Sequence, residues 1–186
     1  QDTDTNNPTA GNRTVRVTVN DGDGGTSANA DVTVTVAAVN DVPTIANLGS
    51  DSFTFTEGAA ATLIDQGTAA VLADVDSSNL SGGNLTATIA SGEDSAEDVL
   101  GLSTSGTVAL ASTNANANVS VGGTVVGTLS NAISAGNDLV VNLNGDATVA
   151  RVQALVRAIT YQDTDTNNPT AGNRTVRVTV NDGDGG

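Results

Sequence analysis

Strict alternation of apolar and polar residues marks three segments of the chain, residues 14–19, 31–36 and 175–180. In each of them valine alternates with threonine, arginine or aspartate. A period of two places every second side chain on one face of an extended strand. The turn-forming sequence NDGDGG separates the first two segments, so we predict a β-hairpin made of residues 13–20 and 28–38.

Seven further segments indicate additional strands: residues 52–56, 61–64, 70–72, 84–90, 107–111, 124–129 and 138–143. Val and Thr dominate the patterned segments, and both favour strands because their branched side chains suit a pleated surface. Gly, Asn and Ser separate most of the segments, as is typical of turns. These features predict an all-β fold, which we expect to be a sandwich of seven up-and-down strands per repeat.

The segment 147–159 has a different period. Five of its apolar residues share one face at helical spacing: Val149, Val152, Leu155, Val156 and Ile159. Asp146 or Thr148 can cap the start of this helix, since short oxygen-bearing side chains accept hydrogen bonds from the first free N–H groups. We therefore predict one short helix per repeat, lying over one end of the sandwich.

An exact internal repeat organises the chain. Residues 1–25 and 162–186 are identical, which sets a period of 161 residues and predicts a tandem array. Pro43 ends the sequence AVNDVP and stiffens it, so we place a domain boundary there. Residues 1–41 are then the closing part of one repeat, and residues 42–186 are the next repeat without its last strand. An open sheet edge of this kind invites pairing with a neighbour.

Composition excludes several functions. The chain contains no Cys, His or Lys, so the usual nucleophiles and general bases are scarce, and we expect no enzyme. Its three aromatic residues, Phe53, Phe55 and Tyr161, are too few and too core-like for a carbohydrate-binding platform. A net charge of −15 argues against nucleic acid, which requires clustered basic residues. No apolar stretch approaches the ~20 residues of a membrane-spanning helix.

The acidic residues are clustered in predicted loops. Such clusters favour binding of a divalent cation such as Ca²⁺, whose ligands in proteins are carboxylate and amide oxygens. In an up-and-down sandwich, successive loops alternate between the two ends. We call the end beside the entering linker the top and the other end the bottom. Glu57 and the QDTDTNN loop with Asp163 and Asp165 then fall at the bottom of a repeat. The ADVDSS and NDGDGG loops fall at the top, beside the linker.

The bottom of one repeat, the linker and the top of the next repeat are expected to converge. Within this chain the predicted junction holds one amide and seven carboxylates: Asp2, Asp4, Asn40, Asp41, Asp74, Asp76, Asp182 and Asp184. Two like charges about 4 Å apart repel by ~4 kcal/mol at an effective dielectric constant near 20. We therefore expect calcium at the junction, and a joint that is flexible without calcium and stiff with it.

The order of these motifs resembles the cadherin-like, Ig-like tandem repeats of giant bacterial surface adhesins of the RTX type. The shared features are a TEG turn, a DxD loop, an RVxVxV strand running into an NDG hairpin, and a VND-P linker. The resemblance covers the whole period, although residues 91–145 make the unit longer than a cadherin domain. It implies calcium ligands at matching positions: Glu57, Asp163 and Asp165, Asn40 and Asp41, Asp74 and Asp76, and Asp182 or Asp184.

Each local motif also has a structural reading. NDGDGG is compatible with a simple tight turn. QDTDTNN begins like an EF-hand loop, but Asn168 stands where that loop requires Gly and Arg174 where it requires Glu, so it is not an EF-hand. GEDSAED, residues 92–98, is interpreted as a solvated loop. Tyr161 is interpreted as a structural tyrosine at a strand corner.

These features predict a structural extender repeat of a large extracellular adhesin at the bacterial surface. Its partners would be neighbouring copies of the repeat, in cis and also in trans, and calcium would stiffen the joints. The alternative is a subunit of an extracellular filament, sheath or S-layer-type polymer, with strands exchanged between repeats. The absent final strand motivates this alternative.

Overall fold

A computed structural model of the chain describes residues 3–185, which form two compact units, residues 3–41 and Val42–Gly185. Strands paired in antiparallel sheets make up most of the regular structure, and the described part of the chain has one short helix. The predicted all-β class is therefore confirmed. No helix among residues 3–185 is long and apolar enough to cross a membrane.

The first unit contains the predicted hairpin. Strand β1, Gly11–Val17, pairs antiparallel with β2, Ala30–Val36, and places Val15 opposite Val32. Alternation produces two different faces, because the valines of both strands share one face while Thr14, Arg16 and Asp31 lie on the other. That valine face has no core to cover it within this unit, so Val32 is 57% exposed.

The second unit holds eleven of the described strands: β3 Thr44–Ala46, β4 Thr62–Leu63, β5 Val71–Ala73, β6 Asn84–Ser91, β7 Asp98–Leu102, β8 Val108–Leu110, β9 Asn118–Val121, β10 Thr124–Leu129, β11 Leu139–Leu143, β12 Ile159–Asp163 and β13 Thr175–Asn181. The largest sheet has the strand order β13-β6-β11-β10-β9-β8. A three-stranded sheet, β4-β12-β7, and a two-stranded sheet, β3-β5, complete the unit.

The predicted helix is present as α1, Val149–Ala158. Thr148 is its N-cap, and its hydroxyl accepts a hydrogen bond from the N–H of Arg151. Val152, Leu155 and Val156 are fully buried, as the helical spacing predicts. Polar side chains also hold the helix to β5, because Gln153 accepts a hydrogen bond from the N–H of Leu72 at 3.0 Å.

The expected seven-strand pattern is wrong in detail. Residues 52–56 form no strand, although Phe53 and Phe55 both project toward the ring of Tyr161, with ring centroids 6.4 and 5.3 Å away. Sequence periodicity also missed β3, β7, β9 and β12. In β12 the reason is burial, because Ile159, Thr160 and Tyr161 are all buried and alternation disappears.

Candidate functional site

The DxD loop lies beside the point where the chain enters the second unit. Thr44 pairs with Ala73 across the β3–β5 ladder, and its hydroxyl donates to the Ala73 carbonyl oxygen at 3.3 Å. Asp74 follows Ala73 directly. The loop of Asp74 and Asp76 is therefore held next to the first strand of the unit.

A turn centred on Asp74 shapes this loop. One oxygen of Asp74, Oδ1, accepts hydrogen bonds from the N–H groups of Asp76 at 3.2 Å and Ser77 at 2.9 Å. The other oxygen, Oδ2, is enclosed by protein and has no hydrogen-bond donor. A buried carboxylate oxygen without a donor is energetically costly, and it is an acceptor for a further donor or a cation.

The NDGDGG loop packs against the DxD loop. Asp182 is 1% exposed, and its Oδ1 accepts a hydrogen bond from the N–H of Asp184 at 2.9 Å. The hydroxyl of Ser77 donates to Oδ2 of Asp184 at 3.4 Å, which joins the two loops. We call this region, residues 74–77 and 181–185, the acidic end of the second unit.

The two copies of NDGDGG adopt the same turn over residues 20–24 and 181–185. In the second unit Asn181 accepts a hydrogen bond from the N–H of Gly183, and in the first unit Asn20 accepts one from Gly22, both at 2.9 Å. The surroundings differ, because Asp21 is exposed whereas its copy Asp182 is buried. Backbone N–H groups, led by that of Asp23, lower the pKa of Asp21.

Residues 4–7 and 165–168, the DTNN parts of the two QDTDTNN copies, also form the same local turn. Oδ1 of Asp165 accepts hydrogen bonds from the N–H groups of Asn167 at 2.8 Å and Asn168 at 3.1 Å. Asp4 makes the matching bonds with Asn6 and Asn7. These bonds favour the charged carboxylate and lower the pKa of both aspartates. The turn is therefore encoded locally and forms in either environment.

A buried ion cluster lies at the end of the second unit opposite the acidic end. Nε of Arg174 contacts Oδ2 of Asp98 at 2.9 Å, and its Nη2 lies 3.5 Å from Glu97 and 3.9 Å from Asp163. The hydroxyl of Tyr161 donates to Oδ1 of Asp98 at 2.5 Å. We call these five residues the Arg174 cluster. The interpretation of residues 92–98 as solvated is wrong for Glu97 and Asp98, which are 7% and 1% exposed.

Charge and burial shift the ionisation of this cluster. Burial raises the pKa of Asp163, and the neighbouring carboxylates of Glu97 and Asp98 raise it further, while the N–H of Asp165 and the charge of Arg174 act in the opposite direction. Burial, followed by the hydrogen bond to Asp98, raises the pKa of Tyr161. Asp163, predicted as a calcium ligand, thus already has a cationic neighbour inside the fold.

The raised pKa of Asp163 predicts a pH effect with a definite sign. Ionisation of Asp163 opposes folding at neutral pH, and this cost is relieved as pH falls through the raised folded-state pKa toward 3.8, the unfolded value. In calcium-free buffer we expect Asp163→Asn to stabilise the second unit at pH 7, with a gain that shrinks on acidification. Urea unfolding at several pH values measures this difference, and a gain that grew toward low pH would contradict it.

Glu57 and Asp163 line one groove. This groove, about 990 Å³ in volume, runs between residues 45–57 and β13, and we call it the edge groove. Its other lining residues include Phe53, Phe55 and Val176. Two of the predicted bottom residues, Glu57 and Asp163, therefore line a partly apolar groove that Arg174 also lines.

The four remaining predicted ligands precede the second unit in the chain. Asp2 lies outside the described residues. Asp4, Asn40 and Asp41 belong to the first unit, where Asn40 is half-buried and Asp41 is exposed. Within residues 3–185, no group of three or more carboxylates is arranged to hold one metal ion. The acidic end therefore supplies carboxylates but not a complete metal site.

Comparison with known proteins found no matching family model, no matching curated protein and no matching solved structure.

Proposed function

We propose that this chain is part of a calcium-stiffened extender, built from tandem repeats, in a large extracellular bacterial adhesin. The observation that carries the proposal is the acidic end, where two acidic loops meet beside the first strand of the second unit. In a tandem array the first strand of a unit follows the linker. Carboxylates at this position would face the joint between successive repeats.

Calcium would be shared between the acidic end and its neighbours in the array. The acidic end contributes Asp74, Asp76, Asp182 and Asp184, and a calcium ion takes about six to eight oxygen ligands. Asn40 and Asp41 of the linker, with the copies of Glu57, Asp163 and Asp165 from the preceding repeat, would complete the set. Asp2 and Asp4 are the copies of Asp163 and Asp165 in this chain.

Repetition supports a structural role rather than a catalytic one. Identical segments form identical turns in both units, so every repeat in an array would present the same loops. We assign each repeat an Ig-like or cadherin-like sandwich, with neighbouring repeats as its partners. The distance that the adhesin extends from the cell surface would then depend on the number of repeats and the stiffness of each joint.

Small-angle scattering of a four-repeat protein tests the extender. With calcium we expect a monomeric rod, and with excess chelator a shorter or flexible particle. Replacing Asp74 and Asp76 with Asn in every repeat should weaken calcium binding by about tenfold or more and remove the stiffening, since charge and ligand number set calcium affinity. The matched control is Glu93→Gln, which removes an exposed charge outside the acidic end. A wild-type profile unchanged by chelator would reduce these loops to solvated turns.

A second candidate function is an assembling filament, sheath or S-layer-type polymer. The observation that favours it is the position of β13, which ends the six-stranded sheet with β6 on its inner side. Within the described residues no strand pairs with its outer edge, which could take a further strand of the same chain or of another. Growth into large particles on addition of calcium would favour this candidate over the extender.

A further inference from the structure

We propose that Arg174 is a built-in counter-ion that takes the place of calcium at the end of the repeat opposite the acidic end. Calcium in an array would then be confined to the joint, and Asp163 would not be one of its ligands. This inference rests on the proposed function and narrows its ligand set. It departs from the resemblance to cadherin-like repeats, which implies calcium at Asp163.

The contacts of Asp163 do not fit a calcium ion shared between repeats. The residue is 5% exposed, so a cation held by a neighbouring repeat would have to open the fold to reach it. Its Oδ1 accepts a hydrogen bond from the N–H of Asp165 at 2.9 Å, and its Oδ2 lies 3.9 Å from Nη2 of Arg174. Both oxygens are therefore directed to groups within the second unit.

Arg174 supplies the positive charge that calcium would otherwise bring. Its side chain is 9% exposed, and its Nε donates to the two oxygens of Asp98 at 2.9 and 3.2 Å. Its Nη2 is enclosed by protein and has no hydrogen-bond acceptor among residues 3–185, yet it lies 3.5 Å from Oε1 of Glu97 and 3.9 Å from Asp163. Nη2 therefore acts as a charge shared between two carboxylates, as a bound cation would.

Neighbouring donors also occupy carboxylate oxygens that a metal would need. Oδ2 of Asp98 accepts a hydrogen bond from the N–H of Asp94 at 2.7 Å, and Oδ1 accepts one from the hydroxyl of Tyr161. Oε1 of Glu97 accepts one from the N–H of Thr170 at 2.7 Å. Calcium takes about six to eight oxygen ligands, so its binding here would first have to break these bonds.

The loop sequence carries the same replacement. QDTDTNN begins like an EF-hand loop with Asp163 in the first position, and Arg174 stands in the twelfth, where an EF-hand supplies its bidentate Glu. The fold brings these two positions together, so the loop closes on its own cation. A guanidinium at this position repels a divalent cation, because like charges repel strongly away from bulk water.

A built-in cation would make the body of each repeat independent of calcium. Arg174 joins the loop of residues 92–98 to the loop of residues 163–174 whether or not calcium is present. Removal of calcium from an array would then loosen the joints while each repeat keeps its fold. Stiffening would be reversible as the calcium concentration changes.

Terbium luminescence of the full chain tests the counter-ion. Tb³⁺ binds oxygen ligands as Ca²⁺ does, and it emits when a nearby tyrosine transfers energy to it. Tyr161 is the one Tyr in a chain without Trp, and it belongs to the Arg174 cluster. Strand β13, Thr175–Asn181, separates the cluster from the acidic end by roughly 20 Å, so terbium bound at the acidic end would emit weakly.

We expect Arg174→Gln to increase the terbium emission sensitised by Tyr161 by about tenfold or more over wild type, because the freed carboxylates would take the ion. Adding Asp163→Asn should remove most of this increase. Arg174→Lys is the matched control, which keeps the positive charge and should stay close to wild type. Wild-type emission as strong as that of Arg174→Gln, or no increase in a folded Arg174→Gln chain, would overturn the counter-ion.

If Arg174→Gln does not fold, the wild-type four-repeat protein decides. Carbodiimide labelling of carboxylates is followed by mass spectrometry, with calcium and with excess chelator. We expect labelling of Asp163 to stay low and equal in both conditions, because Arg174 holds it in the interior without calcium. Labelling of Asp163 that rises several-fold in chelator would overturn the inference.

The same labelling experiment distinguishes this inference from the proposed function. Asp184 is exposed at the acidic end, and calcium bound there should lower its labelling. Labelling of Asp184 that calcium leaves unchanged would contradict the proposed function alone. In that case the terbium emission of Arg174→Gln would still support or overturn the role of Arg174.

Discussion

Replacing Arg174 with alanine should lower the free energy of unfolding of the second unit by about 3–5 kcal/mol, the cost typical of breaking a buried ion pair. The guanidinium is the only cation among the five residues of the Arg174 cluster, and its side chain is 9% exposed. Without it, the carboxylates of Glu97, Asp98 and Asp163 would remain together in the interior with no opposite charge. Mutual repulsion and desolvation would then both oppose folding.

Arg177→Ala is the matched control, because it removes the same charge at an exposed position three residues further along the chain. We expect a change of less than about 0.5 kcal/mol for this variant in dilute protein, as for most surface substitutions. Urea unfolding followed by Tyr161 fluorescence reports on the second unit alone, since the chain has one Tyr and no Trp. Similar losses for both variants would show that the cluster does not stabilise the unit.

A double-variant cycle separates repulsion from lost packing. Asp163→Asn in the Arg174→Ala background removes one of the buried charges while conserving volume. We expect it to recover part of the lost stability, and more than it gains in the wild-type background, because the coupling between these residues is electrostatic. Equal gains in the two backgrounds would assign the loss to packing.

Much of the fold was predictable where one face of an element is buried and the other is solvated. Helix α1 and strands β6 and β13 are of this kind, and their periodicities of 3.6 and two are visible in the sequence. Strand β12 was not predictable in this way, because its residues are buried on both sides and continue directly from the helix. Residues 52–56 show that alternation alone does not make a strand. Phe53 and Phe55 alternate and both face the ring of Tyr161, yet their backbone pairs with no strand.

The candidate sites also differ in whether local sequence or distant contacts determine them. The turns of QDTDTNN and NDGDGG depend on hydrogen bonds between residues two to four apart, so local sequence predicts them. The Arg174 cluster depends on contacts with Glu97 and Asp98, more than 70 residues away. Arg13 has the same sequence around it, yet it is exposed and donates to the carbonyl oxygens of Thr9 and Gly11. Local sequence therefore encodes the turn but not the burial.

Replacing Gly183 with alanine should destabilise the second unit by about 2–5 kcal/mol, combining overpacking with backbone strain. Gly183 has a φ of +90°, a conformation that favours glycine. A Cβ at this position would collide with the Ser81 carbonyl oxygen and would lie 2.7 Å from the Gly83 nitrogen. The NDGDGG loop would have to move away from the backbone that supports it.

Gly185→Ala separates strain from collision. Gly185 lies in the same loop with a φ of +80°, but a Cβ there would meet no atom within 4 Å. We expect this control to cost about 1–2 kcal/mol, the strain alone. Tyr161 fluorescence during urea unfolding measures both variants. If calcium binds at the acidic end, Gly183→Ala should also weaken calcium affinity more than Gly185→Ala, because only the former would displace Asp184 from Ser77. Equal losses in stability and affinity would contradict the packing of this loop against residues 81–83.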